Sequence, residues 1–145
     1  MNDYIFKEIR IPKTITAILA GCSLSAAGLL LQVIFRNPLA GPYVLGISSG
    51  ASLTVAIVLL AGGSLGITSY YYIGKSLTVL SAILGSSLIT FLILAISRKV
   101  QSNVLLLLTG LMLSQICGAI EGALQYFASP GELKGFVMWG MGSLS

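Results

Sequence analysis

Apolar stretches recur along the chain, and the charges fall between them. No Lys, Arg, Asp or Glu lies between Lys13 and Arg36, from Asn37 to Gly74, from Ser76 to Ser97, or from Val100 to Ile120. An α-helix rises about 1.5 Å per residue, so roughly 20 residues cross a hydrocarbon layer of about 30 Å. Each gap can hold one crossing. The pattern predicts helices over 14–35, 44–62, 73–97 and 103–127, a short segment over 131–140, and a glycine-rich link at Ala61–Gly66. The predicted class is an all-α integral membrane protein, a polytopic bundle of at least four helices. A cleaved signal peptide is a poor account of the first stretch, which is long, lacks an Ala-x-Ala site and is followed by three more of its kind.

Within the apolar stretches the small residues fall on faces. Ala17, Gly21, Ser25 and Gly28 recur at three- or four-residue steps, and Gln32 and Arg36 continue the same line. Such a face lets another helix backbone approach closely, which is how membrane helices associate when lipid removes the hydrophobic drive. The same composition is also common in membrane helices that pack ordinarily. A second small face reads Gly110, Ser114, Gly118 and Gly122, with Glu121 and Gln125 beside it. Glu121 has two readings, a pathway or proton-relay group and an interfacial carboxylate near a helix end.

Between the first two stretches, Arg36–Ser52 reads RNPLAGPYVLGISSGAS. Asn37 can turn the backbone as the helix ends, and Pro38 and Pro42 fix φ and remove donors. Gly46 and Gly50 allow a helix to restart under tight contact, with Ser48, Ser49 and Ser52 able to bond freed backbone groups. The segment is not a phosphate loop, because Ile47 stands where a Walker A lysine is required after Gly41 and Gly46.

Composition narrows the classes further. Charged residues make up 8% of the chain against roughly 25% in soluble domains, 56% are hydrophobic, and the mean hydropathy is +0.98. The net charge of +4 comes with no basic groove and no interleaved aromatics, which argues against nucleic acid as a partner. Cys22 and Cys117 sit alone in apolar stretches, and the chain has no His, which leaves metal centres and His-based acid–base chemistry without their usual groups. No cofactor and no catalytic cluster are expected.

The residues that remain unexplained carry a resemblance. Arg10-Ile11-Pro12-Lys13, Ala20-Gly21, Gly28 to Gln32, Arg36 to Pro42, and Leu45 to Ala51 resemble the membrane permeases of ATP-driven importers for iron siderophores, haem and cobalamin. Trp139 to Ser145 is similar to the segment such permeases carry after their fifth helix. The resemblance covers nearly the whole chain and implies part of a permease domain, matching the second to fifth of about ten helices. Gly41 replaces an aspartate frequent in the family, and Lys13 stands where arginine is common, keeping the charge but not the planar fork.

The resemblance implies roles as well. Arg10 and Lys13 would face outward and dock an extracytoplasmic substrate-binding protein, though both could instead anchor the helix by snorkelling. Arg36 to Pro42 would lie on the cytoplasmic side together with Arg98 and Lys99, while Lys75 would be external. Gly28, Gln32, Arg36, Asn37, Pro38, Pro42, Gly46 and Gly50 would shape the bend and its packing. Ser114, Gly118, Glu121, Gly131 and Gly140 are the pathway candidates. Implied partners are a second permease subunit, cytoplasmic ATPase subunits that hydrolyse ATP in place of this chain, and membrane lipid. The implied location is the cell membrane, multi-pass, and the inner one where a cell has two. The competing reading is a small four-helix structural or assembly subunit, which accounts for composition but not for the Arg36–Ala51 run. A membrane enzyme ranks third, since Glu121 and the serines have no base or metal at useful spacing.

Overall fold

A computed structural model describes residues 5–62, 71–100 and 102–142, with only the backbone of 71–75. Most of the predicted Ala61–Gly66 link, the Lys75 side chain and the end of the Trp139–Ser145 motif lie outside the described residues. Among the described residues five helices follow one another: α1 (Phe6–Phe35), α2 (Ile47–Ala61), α3 (Tyr71–Ser97), α4 (Asn103–Phe127) and α5 (Pro130–Gly140). They fall into two compact units, one holding α1 with the turn that follows it and one running Pro42–Gly140.

α1 begins well before position 14 and carries Arg10 and Lys13 inside it. Charge limits where a helix can enter hydrocarbon, not where the helix itself begins. Its first turn, Phe6–Arg10, is π-helical, directly ahead of Pro12. A proline removes one backbone donor and crowds the carbonyl four residues earlier, here that of Glu8, and a widened turn relieves both. At the other end the left-handed residue is Arg36 (φ 47°), not Asn37. Asn37 precedes Pro38, whose ring pushes its neighbour toward extended backbone, so the reversal falls one residue earlier. The Asn37 N–H donates to the Gln32 carbonyl at 3.1 Å, its Oδ1 accepts from Leu39 N–H at 2.9 Å, and Gln32 Nε2 donates to the Pro38 carbonyl at 3.0 Å.

In the second unit α2 is short. Gly46 is left-handed (φ 75°), so Val44 and Leu45, apolar enough to read as helix, belong to the turn before it. The first ten residues of α2 are α-helical and the last five, Ile57–Ala61, are π-helical. Among the described residues three helices, Phe6–Phe35, Ser76–Ser97 and Asn103–Phe127, are long and apolar enough to cross a membrane, and Ile47–Ala61 is a shorter apolar helix.

α3 packs its Thr78, Ser81, Gly85, Ile89 and Ile93 side inward, a repeat of three to four residues. Its outer side exposes Leu80, Leu84, Leu88 and Phe91, as α4 exposes Val104, Met112 and Ile116. Large side chains outside, with small ones inside over Thr78–Gly85, is the arrangement expected of helices in lipid, where close backbone approach does the associating. α5 starts after Ala128 leaves helical geometry (ψ 149°). Ser129 N–H donates to Glu132 Oε2 at 2.8 Å and Glu132 N–H to Ser129 Oγ at 3.5 Å, a reciprocal cap that also holds the Glu132 carboxyl below the usual carboxylate range.

Candidate functional site

The turn Pro42–Gly46 and the start of α2 wedge between α3 and α4 with almost no side chain in between. A Cβ added at Gly50 would overlap Ile89 and come within 2.8 Å of the Gly85 carbonyl oxygen. One added at Gly85 would overlap the Gly50 carbonyl oxygen and Thr54 Oγ1. The two glycines therefore mark a helix crossing at backbone contact. On the α4 side, a Cβ at Gly110 would meet the Val44 carbonyl oxygen at 2.7 Å and Leu45 Cα at 2.8 Å. Gly46 is constrained twice, by its left-handed backbone and by the Gly110 carbonyl oxygen at 2.9 Å from the Cβ it lacks.

Hydroxyls stitch the same contacts. Thr54 Oγ1 lies 2.7 Å from the Ser81 carbonyl oxygen across the α2–α3 crossing, and 3.2 and 3.0 Å from the Gly50 and Ala51 carbonyls of its own helix. It has one proton, and the shortest of these contacts runs between helices. Ser49 Oγ donates to Ser114 Oγ at 3.0 Å, and the Ser52 side chain lies beside the Glu121 carboxyl. Ser49 and Ser52, three residues apart on α2, thus face Ser114 and Glu121, two turns apart on α4. Of the three serines expected to bond freed backbone groups, Ser49 bonds a side chain instead and Ser52 lies against one. The polar groups form a seam between helices and not one converging pocket.

The remaining predicted residues distribute as follows. Arg10 and Lys13 are exposed and three residues apart on α1, near a shallow hollow lined by Phe6, Ile11, Thr14 and Ile15. Nothing in its own unit crowds Gly28. Gln32, Arg36, Asn37 and Pro38 build the turn after α1, and Pro42 opens the turn before α2. Gly118, Gly131 and Gly140 have no atom within 4 Å of an added Cβ, so the small face of α4 is used at Gly110 and Ser114 and open at Gly118 and Gly122. Among the described residues no three His, Cys, Asp or Glu side chains gather in a way that could hold a metal.

Gly85 and Ser81 are the partners that sequence reasoning missed. Their spacing, Ser81 and Gly85 ahead of Ile89, was a visible i+4 signal, but it sat in a stretch whose serines look unremarkable. The second apolar partnership of α2 was likewise unmarked. Val55, Ala56 and Leu60 are buried with Phe136 of α5, and Leu59, Leu124, Ala128 and Trp139 pack around them. Phe136 and Trp139 stack at 6.2 Å between ring centroids and 24° between planes.

Comparison with known proteins adds a frame for this geometry. The profile of the FecCD transport family matches residues 1–145. The chain is 38% identical over 142 residues to the hemin transport system permease protein HmuU of Yersinia pestis, covering 97% of this chain and 41% of that protein. It is 37% identical over 138 residues to the vitamin B12 import system permease protein BtuC of Pectobacterium atrosepticum, covering 95% and 40%. A solved structure assigned to the metal-chelate type of ABC transporter, in an inward-facing conformation, superposes with a TM-score of 0.78 at 30% identity, covering 97% of this chain and 42% of that one. The chain thus spans about 40% of the length of the curated relatives it matches.

Proposed function

The chain belongs to the FecCD transport family, and from that premise we propose that it contributes the α1–α5 part of a transmembrane permease in an ATP-driven importer of a metal chelate. The observation that carries the reading is the family match across all 145 residues. The likeness to a metal-chelate type transporter at TM-score 0.78 supports it. The relatives named for hemin and vitamin B12 make the cargo class a bulky metal chelate, with iron siderophore, haem and cobalamin as its candidates. A small four-helix assembly subunit leaves the Arg36–Ala51 run without a purpose.

In this reading two permease subunits line a path along their shared axis, a substrate-binding protein delivers cargo outside, and separate ATPase subunits drive opening from the cytoplasm. The membrane is the cell membrane, the inner one where there are two. Small and apolar side chains suit such a path, because a line of charges would hold a chelate too tightly to release it. α4 and α5 border the path, with Ser114, Gly118, Glu121, Gly131 and Gly140 on or near it. Arg10 and Lys13 form the docking pair for the binding protein, and Arg36 shares the cytoplasmic side with Arg98 and Lys99. Two exposed cations three residues apart at one helix end are suited to steering an acidic partner.

The test is uptake by the natural full-length protein reconstituted with its ATPase and binding protein. Labelled ferric siderophore, haem and cobalamin are offered in turn, and ATP-dependent uptake of at least one is the expected outcome; uptake of none overturns the reading. Reversing Arg10 and Lys13 to glutamate is expected to slow uptake and weaken binding-protein association. Assembly and basal ATP hydrolysis should hold, and the native affinity should fall with salt as the attraction is screened over roughly 8–10 Å. Equal affinity and salt dependence in both proteins would return the pair to an anchoring role.

A further inference from the structure

Both neighbours of α2 measure the depth at which it begins. On α4, Val104–Leu108 is an unbroken run of valine and leucine, and Gly110, which Val44, Leu45 and Gly46 touch, lies about 10 Å along the helix from Asn103. On α3, Gly50 rests against Gly85 and Ile89, roughly 12–18 Å along the helix from Ser97, and Gly46 is a turn of about 6 Å nearer that end. The two measures agree. Arg98 and Lys99 join those helix ends and mark the edge of the hydrocarbon, so the turn Pro42–Gly46 lies roughly 10 Å inside it. Its backbone is short of partners. Gly46 N–H donates to the Tyr43 carbonyl at 3.1 Å, while the N–H groups of Tyr43, Val44, Leu45, Ile47, Ser48 and Ser49 meet no acceptor among the described residues.

We propose that water reaches the start of α2 inside the membrane, through a recess open on the side of Arg98 and Lys99, and that this recess is part of the route of the cargo. Hydrocarbon cannot satisfy these amides, and non-helical backbone at membrane depth persists only where protein encloses it or water lines it. Enclosure is not how this start is built. A helix start sealed in protein needs acceptors for its first N–H groups, which Ser, Thr, Asp or Asn at the cap supply, and the cap here is Gly46 with no side chain to offer. The hydroxyls nearby are engaged elsewhere, Ser49 with Ser114 and Thr54 with the Ser81 carbonyl. Close contacts at Gly50 and Gly110 seal the sides toward α3 and α4. The open side is that of Tyr43, 75% exposed, whose ring and hydroxyl suit a boundary between apolar and wet surroundings. The place on the route rests on the permease reading, in which α4 borders the path; it gives α2 a part there that the reading left unassigned.

The experiment uses the full-length transporter in lipid nanodiscs, in a background whose cysteines, Cys22 and Cys117 included, are replaced and which must itself assemble. Ser48→Cys is compared with Leu88→Cys, at a similar depth on the outer side of α3. The probe is a charged, membrane-impermeant methanethiosulfonate. Ser48→Cys is expected to react at least about tenfold faster, because the thiolate is the reactive form and apolar surroundings suppress it. Equal rates overturn the proposal and mean that another part of the protein covers the turn. If Ser48→Cys does not assemble, Tyr43→Cys takes its place, and amide exchange decides in the unsubstituted protein. There Val44 to Ser49 should exchange at least about tenfold faster than Ser81 to Ile89, and equal protection overturns the recess. In proteoliposomes, uptake by labelled Ser48→Cys should fall several-fold and return when a reductant removes the label. Unchanged uptake by the labelled protein overturns the place on the route. Absence of uptake before labelling is a different failure, that of the permease reading, and leaves labelling and exchange to decide whether water is there.

Discussion

At its amino end α2 meets α3 and α4 backbone to backbone, through Gly50 on Gly85 and Gly46 on Gly110, with hydroxyls bridging the crossings. At its carboxyl end the same helix meets α5 through bulky apolar side chains, Leu60 under Phe136 and Trp139, on a widened turn. The first contact has no slack, because no atom can enter it and no rotamer can relieve it. The second can repack. A helix held by backbone contact at one end and by side chains at the other should tolerate substitution at the second end better than at the first.

The largest effect should come from filling the tight end. Gly50→Leu puts a branched side chain where even a Cβ overlaps Ile89, and a loss of about 3 kcal/mol or more, the upper end of overpacking costs, is expected. Leu53→Ala on the same helix serves as its control. Recovery of assembled complex after detergent solubilisation measures both, and equal recovery would mean that the Gly50 contact does not hold the crossing. Leu60→Ala is expected to cost less, about 1–2 kcal/mol, because lipid in place of water removes most of the transfer contribution and leaves lost packing. Its signature is selective: faster proteolysis around Ala128–Gly131 with recovery nearly unchanged. Collapse of the whole complex would mean that the α5 contact is as rigid as the glycine crossing.

Thr54→Val tests the hydroxyl at the crossing, which donates to the Ser81 carbonyl at 2.7 Å. Interhelical hydrogen bonds in membranes average about 0.6 kcal/mol and reach roughly 1.7. A thermal-melt shift corresponding to less than that average would assign the crossing to its glycines alone. The smallest effect belongs to α5's cap. The Glu132 carboxyl is held below the usual carboxylate range by its bonds to Ser129, so its contribution is complete above the ordinary carboxylate pKa and is lost as pH falls through the lowered value. Amide exchange at Ser129 should quicken on acidification in the parent and be insensitive to pH in Glu132→Gln, after correction for intrinsic exchange. Equal pH profiles would remove the cap from the account of how α5 holds itself.

How much of this was legible depends on which force set each feature. The helices over α3 and α4 were visible because hydrocarbon excludes charge, and the gaps after Lys75 and Lys99 report that directly. Helix starts were less visible, since α1 begins at Phe6 among charges that bar insertion but not helix formation. Val44 and Leu45 look helical until the left-handed Gly46 is known, and a glycine does not announce the sign of its φ. The small face of α4 could be read off its spacing, yet spacing does not say which half finds a partner: Gly110 is crowded and Gly118 is open. The π turn at Ile57–Ala61 is the last of α2, and Gly62-Gly63 marked where the helix ends without saying how its final turn is wound. The cap at Ser129 and Glu132 did have one, the Ser-x-x-Glu spacing, in a stretch where Pro130 drew attention to the break instead.

The brevity of α2 also ties the protein to the material around it. Its ten α-helical and five π-helical residues rise no more than about 22 Å. A hydrocarbon layer is about 30 Å thick. A helix of that length does not by itself reach both headgroup planes, so its contacts with α3 and α4 supply part of what its own length does not. Mismatch of this kind costs fractions of a kcal/mol per ångström and varies with the acyl chains present. Lipid chain length, which changes with growth temperature and diet in many cells, thereby becomes one of the settings under which α2 keeps its place.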